Sequence, residues 1–311
     1  MDTILEDEVP FFLYNAIFDD SDEVENKSEK KLSLWIKDKD TIRATTDISL
    51  TTKIDPGVYT ADFSKDYGYY CKKLNSESDE LFVFSDSITQ KLFDEIDLFW
   101  TKASIYAENK LIHKRGILLE GFPGTGKSSI ITIFSNKVIQ NGGVVFKITG
   151  YRNLSDYIEF IQNSFRKLQP DTPIITIIED IDQYDQVELE LLDFLDGKTH
   201  LNHHVVIATT NNTEDVPDTF LRPSRMDLKI EIPLPCKDTR REYFTYKEIP
   251  SVDITELVEK SEGFSLADLK ELYICIYLLD YTVDDAINKI ASPRQKKNYL
   301  TSPINKVQLG L

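Results

Sequence analysis

Eight consecutive residues, Gly121-Phe122-Pro123-Gly124-Thr125-Gly126-Lys127-Ser128, fit the spacing GxxxxGK[ST]. Glycines let backbone N–H groups close in on an anion, and a helix beginning at the same point adds the favourable potential of its N-terminus. The lysine of such a loop reaches the β and γ phosphates of a nucleotide, and the Ser128 hydroxyl is placed to ligate Mg²⁺. An apolar run, Ile117 to Leu119, precedes the motif and a helical pattern from Ser128 follows it. We therefore expect Gly121, Pro123, Gly124, Thr125, Gly126, Lys127, Ser128 and Ser129 to bind ATP with Mg²⁺.

Three further stretches carry groups such a site needs. The apolar run Ile174 to Ile178 ends in Glu179-Asp180-Ile181-Asp182, which brings carboxylates to the end of a buried strand. One is expected in the Mg²⁺ shell and another on the attacking water. Val205 to Thr209 runs into Thr210-Asn211-Asn212, where an amide can hydrogen-bond that water or the γ-phosphate, although Asn-Asn after a strand also reads as a turn. Leu221-Arg222-Pro223-Ser224-Arg225-Met226-Asp227 sets two arginines three residues apart, which alone would read as surface residues.

The elements that position these groups alternate. GILLE, VVFKIT, PIITIIED and HVVIATT are apolar without a period of two, and helical patterns separate them. That pattern predicts an α/β fold with a parallel sheet covered by helices on both faces. A helix with Ile88, Leu92, Ile96 and Phe99 at helical spacing precedes it, with cap residues in Ser85 to Ser87. Beyond Pro235 only helical patterns remain, and Ser265/Asp268 and Thr282/Asp285 have capping-box spacing. Short strand-like runs from Leu32 to Phe84, divided by Asp55-Pro56-Gly57, suggest a small β-rich domain. The expected division is an acidic segment at 1–30, a β-rich domain at 31–85, an α/β domain at 86–235, a helical lid at 236–291 and a basic tail at 292–311.

Charge narrows the function classes. The 311 residues include 53 Asp plus Glu against 36 Lys plus Arg, a net of −17. A main surface that follows a phosphate backbone is disfavoured, because each such contact needs a cation. Residues 1–30 hold ten acids and two lysines, whereas 292–311 hold Arg294, Lys296, Lys297 and Lys306 without an acid. No apolar run reaches the ~18 residues of a membrane span, so a cytoplasmic protein is the expectation. Cys71, Cys236 and Cys275 lie far apart and read as buried reduced thiols, and His200, His203 and His204 as part of a connecting loop.

Together the motifs resemble the AAA family of ATPases over roughly residues 88 to 291. The resemblance implies a sensor role for Asn211 and arginine-finger roles for Arg222 and Arg225, acting on a neighbouring subunit's nucleotide. It thus implies a ring of this chain, hexameric or heptameric. Ser261 to Asp268 is similar to the sequence that opens the family's lid helix, with Leu266 where a second glycine is usual. Tyr106 to Gly116, the Glu179-Asp180 order and Leu191 to Gly197 resemble the branch of the mitochondrial Rieske-protein translocase. Most of the family has Asp-Glu at this strand end. By position Glu179 would serve Mg²⁺ and Asp180 would polarise the water, at longer reach or through a bridging water. Tyr151 to Phe160 contains no aromatic-hydrophobic-glycine loop, so moving or remodelling a folded protein partner is favoured over threading. A nucleic-acid loader and a nucleotide-gated scaffold are the alternatives.

Overall fold

In the computed structural model the described residues are 32–38, 41–48, 51–65, 68–74, 87–148, 152–184, 188–196, 202–248 and 253–291. The acidic segment 1–30, the tail 292–311 and the apolar run 81–84 lie outside them. The chain divides into two units, residues 1–52 and 53–311. In the first, β1 (Leu32–Asp38) pairs antiparallel with β2 (Thr41–Ile48), with Trp35 opposite Ala44.

The second unit holds a seven-stranded sheet. Its strands are β3 (Gly57–Ser64), β4 (Gly68–Lys73), β5 (Lys114–Glu120), β6 (Val144–Ile148), β7 (Ile174–Ile178), β8 (His204–Thr210) and β9 (Leu228–Glu231). The order is β4-β3-β6-β7-β8-β5-β9, with every pairing parallel except β3 with β4. The boundary expected at residue 85 is thereby corrected. Gly57 to Tyr59 bond to Val144 to Phe146, so β3 and β4 extend the main sheet rather than a separate β-rich domain.

The unbroken apolar strands bury both faces. On one face Leu118, Phe146, Ile178 and Val206 pack with Leu154, Tyr157, Phe160 and Phe194. These come from α4 (Arg152–Phe160), which continues through a π turn at Ile161–Phe165, and from α5 (Glu188–Leu195). On the other face Ile117, Leu119, Val145, Ile175, Ile177 and Ile207 meet Leu92, Ile96, Phe99, Ile131 and Phe134. Those belong to α1 (Ser87–Thr101) and α3 (Lys127–Gln140), with the short α2 (Ala103–Glu108) between. Neighbouring residues on one strand thus join opposite cores, as the two-residue period of a strand requires. Tyr157 and Phe160 are core packing residues.

A third core lies in the helical segment expected as a lid, hereafter the lid, in α6 (Lys237–Lys247), α7 (Ile254–Lys260), α8 (Leu266–Tyr273) and α9 (residues 283–291). Phe244, Leu257, Val258, Leu269, Leu272 and Cys275 are its buried centre. Ser265 and Asp268 close the expected capping box at the start of α8, and the Thr282 hydroxyl accepts from the Asp285 N–H at 3.2 Å. Cys275 is buried and Cys71 half-buried, but Cys236 is exposed at the start of α6, which corrects the expectation of three buried thiols.

At the amino edge of the sheet His204 is the first residue of β8 and fully buried rather than in a loop. Its Nε2 lies 2.6 Å from Thr176 Oγ1, which also bonds the Tyr157 hydroxyl. His113 stacks on Phe99, lies 2.9 Å by Nε2 from that residue's carbonyl oxygen, and meets His203 Nδ1 at 3.3 Å. Burial lowers all three imidazoles below the ordinary 6.5, His204 the furthest, with the Arg166 charge adding to the shifts of His203 and His204. Between each lowered folded value and the unfolded one the unfolded chain binds more protons, so stability rises with pH there. This contribution is complete above about pH 6.5 and is lost as pH falls through the folded values. We expect the urea midpoint to drop between pH 7.5 and 5.5, and to drop less in His204→Gln. An equal drop in both proteins would remove His204 from this account.

Candidate functional site

Strand order sets the site. Reading along the carboxyl edge, β6, β7, β8 and β5 end one beside the next, so the residues at their ends line up in the same sequence. Lys147 is one residue from the end of β6, Glu179 and Asp180 follow β7, Asn211 follows β8, and Gly121 to Lys127 follow β5. The observed contacts repeat that order. Lys147 Nζ pairs with Glu179 Oε2 at 2.9 Å. Asn211 Nδ2 donates to Asp180 Oδ1 at 3.3 Å, and Lys127 Nζ donates to Asn211 Oδ1 at 3.0 Å. Because β8 lies between β5 and β7, Asn211 bridges the loop lysine and the carboxylate.

The loop itself turns as its glycines allow. Gly124 and Gly126 have φ of 82° and 102°, values at which a Cβ would be strained. Thr125 is buried and its hydroxyl donates to the Phe122 carbonyl at 2.9 Å, whereas Pro123, Gly124 and Ser128 are exposed and Ser129 half-buried. Lys127 is buried at the first position of α3, with Nζ donating to the Gly121 carbonyl at 2.5 Å and to that of Phe122 at 3.2 Å. Burial lowers its pKa and the Asp180 charge opposes the shift. The ammonium is thus held inside the loop by groups that an anionic ligand can replace.

Asn211 and Asn212 separate by their own bonds. Asn212 Oδ1 accepts from the Glu214 N–H at 3.2 Å and its Nδ2 donates to Asp215 at 3.1 Å, which commits it to capping the turn Thr213–Asp215. Asn211 faces Lys127 and Asp180 instead. Asp180 takes a left-handed backbone, φ 50° and ψ 59°, and its N–H donates to Thr209 Oγ1 at 3.1 Å. Asp182 accepts from the Thr210 hydroxyl at 2.9 Å, so the third acid of the run buttresses β8.

Arg222 and Arg225 are not part of this cluster. Their loop is fastened to the start of β5, where the Gly116 N–H donates to Asp227 Oδ2 at 2.9 Å. From Gly116 to the strand end at Glu120 is four residues, ~13 Å of extended chain.

The lid touches the loop. The Ala267 N–H donates to the Gly124 carbonyl at 3.1 Å. A Cβ on Gly126 would lie 2.8 Å from Leu266 Cδ1, and one on Gly124 2.8 Å from Ser265 Oγ. Sequence reasoning gave the start of α8 no place at the site, and it gave Lys147 none. The signal for Lys147 was its position: it is the charged residue in an otherwise apolar strand that ends beside β7.

Hard oxygen donors, the Ser128 hydroxyl in the first turn of α3 and the Glu179 and Asp180 carboxylates after β7, suit Mg²⁺ by their chemistry. Among the described residues no helix is long and apolar enough to cross a membrane.

Residues 117–234 match the family described as "ATPase family associated with various cellular activities (AAA)". The 26S proteasome regulatory subunit 4 homolog of Oryza sativa is 28% identical over 211 residues, 60% of this chain and 46% of that protein. The cell division cycle protein 48 homolog of Archaeoglobus fulgidus is 30% identical over 203 residues, 58% of this chain and 27% of that protein. Protein SAV of Sulfolobus acidocaldarius is 29% identical over 210 residues, 60% of this chain and 26% of that protein. The chain spans less than half the length of these curated relatives. The parallel sheet, the glycine loop closing on its lysine and the matched segment agree, and over residues 117–234 this chain is similar in sequence and fold class to the AAA family.

Proposed function

We propose that this chain binds ATP with Mg²⁺, hydrolyses it as a subunit of a hexameric or heptameric ring, and couples the cycle to remodelling a protein partner. The observation that carries the reading is the line of contacts from Lys127 through Asn211 to Asp180. Lys127 exchanges its carbonyl partners for the β and γ phosphates, a gain in charge-assisted bonding. The N–H groups of the loop and the first turn of α3 receive phosphate oxygens. Asn211 orients the attacking water and Asp180 accepts its proton, with the Asn211 amide holding the carboxylate in place. Ser128 and Glu179 would hold Mg²⁺, which when bound neutralises charge on the phosphate oxygens.

The placement of the finger loop supports the ring. Arg222 is exposed on a loop at the amino end of β5, while the phosphate loop is at the carboxyl end. A side chain there serves a nucleotide on another copy better than its own. Transition-state charge at the γ-phosphate then meets an arginine, in addition to Lys127, only when two copies are joined. Specific turnover is expected to rise with protein concentration until assembly is complete. A rate per chain that is already maximal for a monomer, shown by light scattering in the presence of ATP, would exclude the ring.

A protein partner is favoured by the relatives, among them proteasome regulatory subunits, and by the net charge of −17. The Glu179-Asp180 order and Leu191 to Gly197 support a place near the Rieske-translocase branch.

A further inference from the structure

The two arginines of the finger loop have different surroundings. Arg222 is exposed. The Arg225 side chain is 15% exposed and its guanidinium is engaged on three sides. Nε donates to Asp196 Oδ1 at 2.5 Å, Nη2 to Asp196 Oδ2 at 2.8 Å and Nη1 to the Thr219 carbonyl at 2.5 Å. A parallel two-point pair of this kind fixes direction as well as distance, and lysine cannot reproduce it.

Other bonds hold the same loop to the same place. Asp227 Oδ1 accepts from the Ser224 N–H at 2.9 Å while its Oδ2 takes the Gly116 N–H. Lys114 Nζ donates to the Ser224 carbonyl at 2.6 Å and also to the carbonyl of Leu195. The loop rests directly on β5, since a Cβ at Gly116 would lie 1.7 Å from the Arg225 carbonyl oxygen. Leu195 is the last residue of α5 and Asp196 the one after it, so the helix end that follows β7 is what the loop hangs from.

We propose that Arg225 is a positioning residue and not a second finger. Anchored to Asp196, it sets the loop that presents Arg222, and Arg222 alone reaches the neighbouring nucleotide. To act as a finger Arg225 would have to give up three donor contacts, whereas Arg222 needs only to extend. The inference rests on the trans-finger reading above and assigns the two arginines within it. It also makes Asp196, which no catalytic motif includes, a determinant of turnover.

The test measures ATP hydrolysis by the assembled full chain and separates kcat from KM. Arg222→Ala is expected to lower kcat about 100-fold with KM changed less than about threefold. A wild-type rate in Arg222→Ala would overturn the trans-finger reading itself, whatever residue 225 does. For Arg225 the informative pair is Asp196→Asn, which keeps the shape of the native side chain, and Arg225→Gln, which removes the guanidinium and leaves a neutral polar group. A positioning role predicts that both lower kcat, Arg225→Gln by the larger factor because it also loses the Thr219 carbonyl bond, and that the double variant is no worse than Arg225→Gln, because both break the same Arg225–Asp196 pair. If Arg225→Gln loses about 100-fold while Asp196→Asn keeps its turnover, Arg225 is a finger and the proposal fails. Should either single variant not fold, the exchange of Asp196→Arg with Arg225→Asp decides. Turnover at least tenfold above that of Arg225→Asp supports the anchor, and a folded exchange variant with no recovery overturns it.

Discussion

Lys127→Ala is expected to weaken ATP binding by about 10² to 10³. In the structure the ammonium has three partners, two loop carbonyls and the Asn211 side-chain oxygen, and it is buried among them. Burial disfavours its charge, so the site holds a cation that gains from an anion arriving beside it. Two charge-assisted bonds to phosphate oxygens are together worth ~3–4 kcal/mol after the loss of the carbonyl partners, and each 1.4 kcal/mol is tenfold in affinity. Truncation also leaves the Gly121 carbonyl without this donor, at a cost of ~1–3 kcal/mol where the group stays dry. The thermal midpoint should therefore fall as well. Titration with a fluorescent ATP analogue reads the first effect, and an unchanged dissociation constant would take Lys127 out of the phosphate site.

Asp180→Asn is expected to lower turnover by about 10² to 10⁴ while nucleotide affinity stays within a few-fold, the range that removal of a general base produces. The substitution is a clean one. Asp180 sits at φ 50°, a region that Asn occupies as readily as Asp, and its backbone bond to Thr209 Oγ1 does not depend on the side chain. Glu179→Gln should instead raise the Mg²⁺ concentration needed for tight nucleotide binding. It also frees Lys147, whose ammonium now pairs with Glu179. Single-turnover hydrolysis and nucleotide release on both variants separate the roles. Retention of unhydrolysed ATP by Glu179→Gln alone would reverse the assignment of base and metal ligand.

The signals that single out Lys127 and Asp180 in the sequence are local. A glycine loop between a strand and a helix, and acids at the end of an apolar strand, specify chemistry within a dozen residues. The strands of the α/β domain were legible for the same reason, as runs buried on both faces. What failed was non-local. β3 and β4 form a hairpin whose pattern is complete in itself, and nothing in Gly57 to Lys73 states that Tyr59 will lie beside Phe146. Lys147 became part of the site only through the order β6-β7-β8-β5, a property of the whole sheet. His204 was misplaced because a polar His-His step looks like a loop, while the buried Thr176 that meets its Nε2, and the Tyr157 that bonds Thr176 in turn, come from elements 28 and 47 positions away by numbering. The two arginines read as equals because spacing gives their separation and not their partners.

The lid is joined to the sheet at two places of different kinds. One is covalent, where the chain leaves β9 and passes Pro235, whose carbonyl accepts from Arg240 of α6 at 3.0 Å. The other is the Ala267 to Gly124 bond at the phosphate loop. The two joints differ in strength, since the chain connection is permanent whereas the single backbone hydrogen bond to Gly124 is one that a ligand at the glycine loop could strengthen or break. The same helical unit has an exposed rim of aromatic and aliphatic side chains, Tyr277, Leu278, Leu279 and Tyr281, so one body carries both the contact to the glycine loop and an apolar surface.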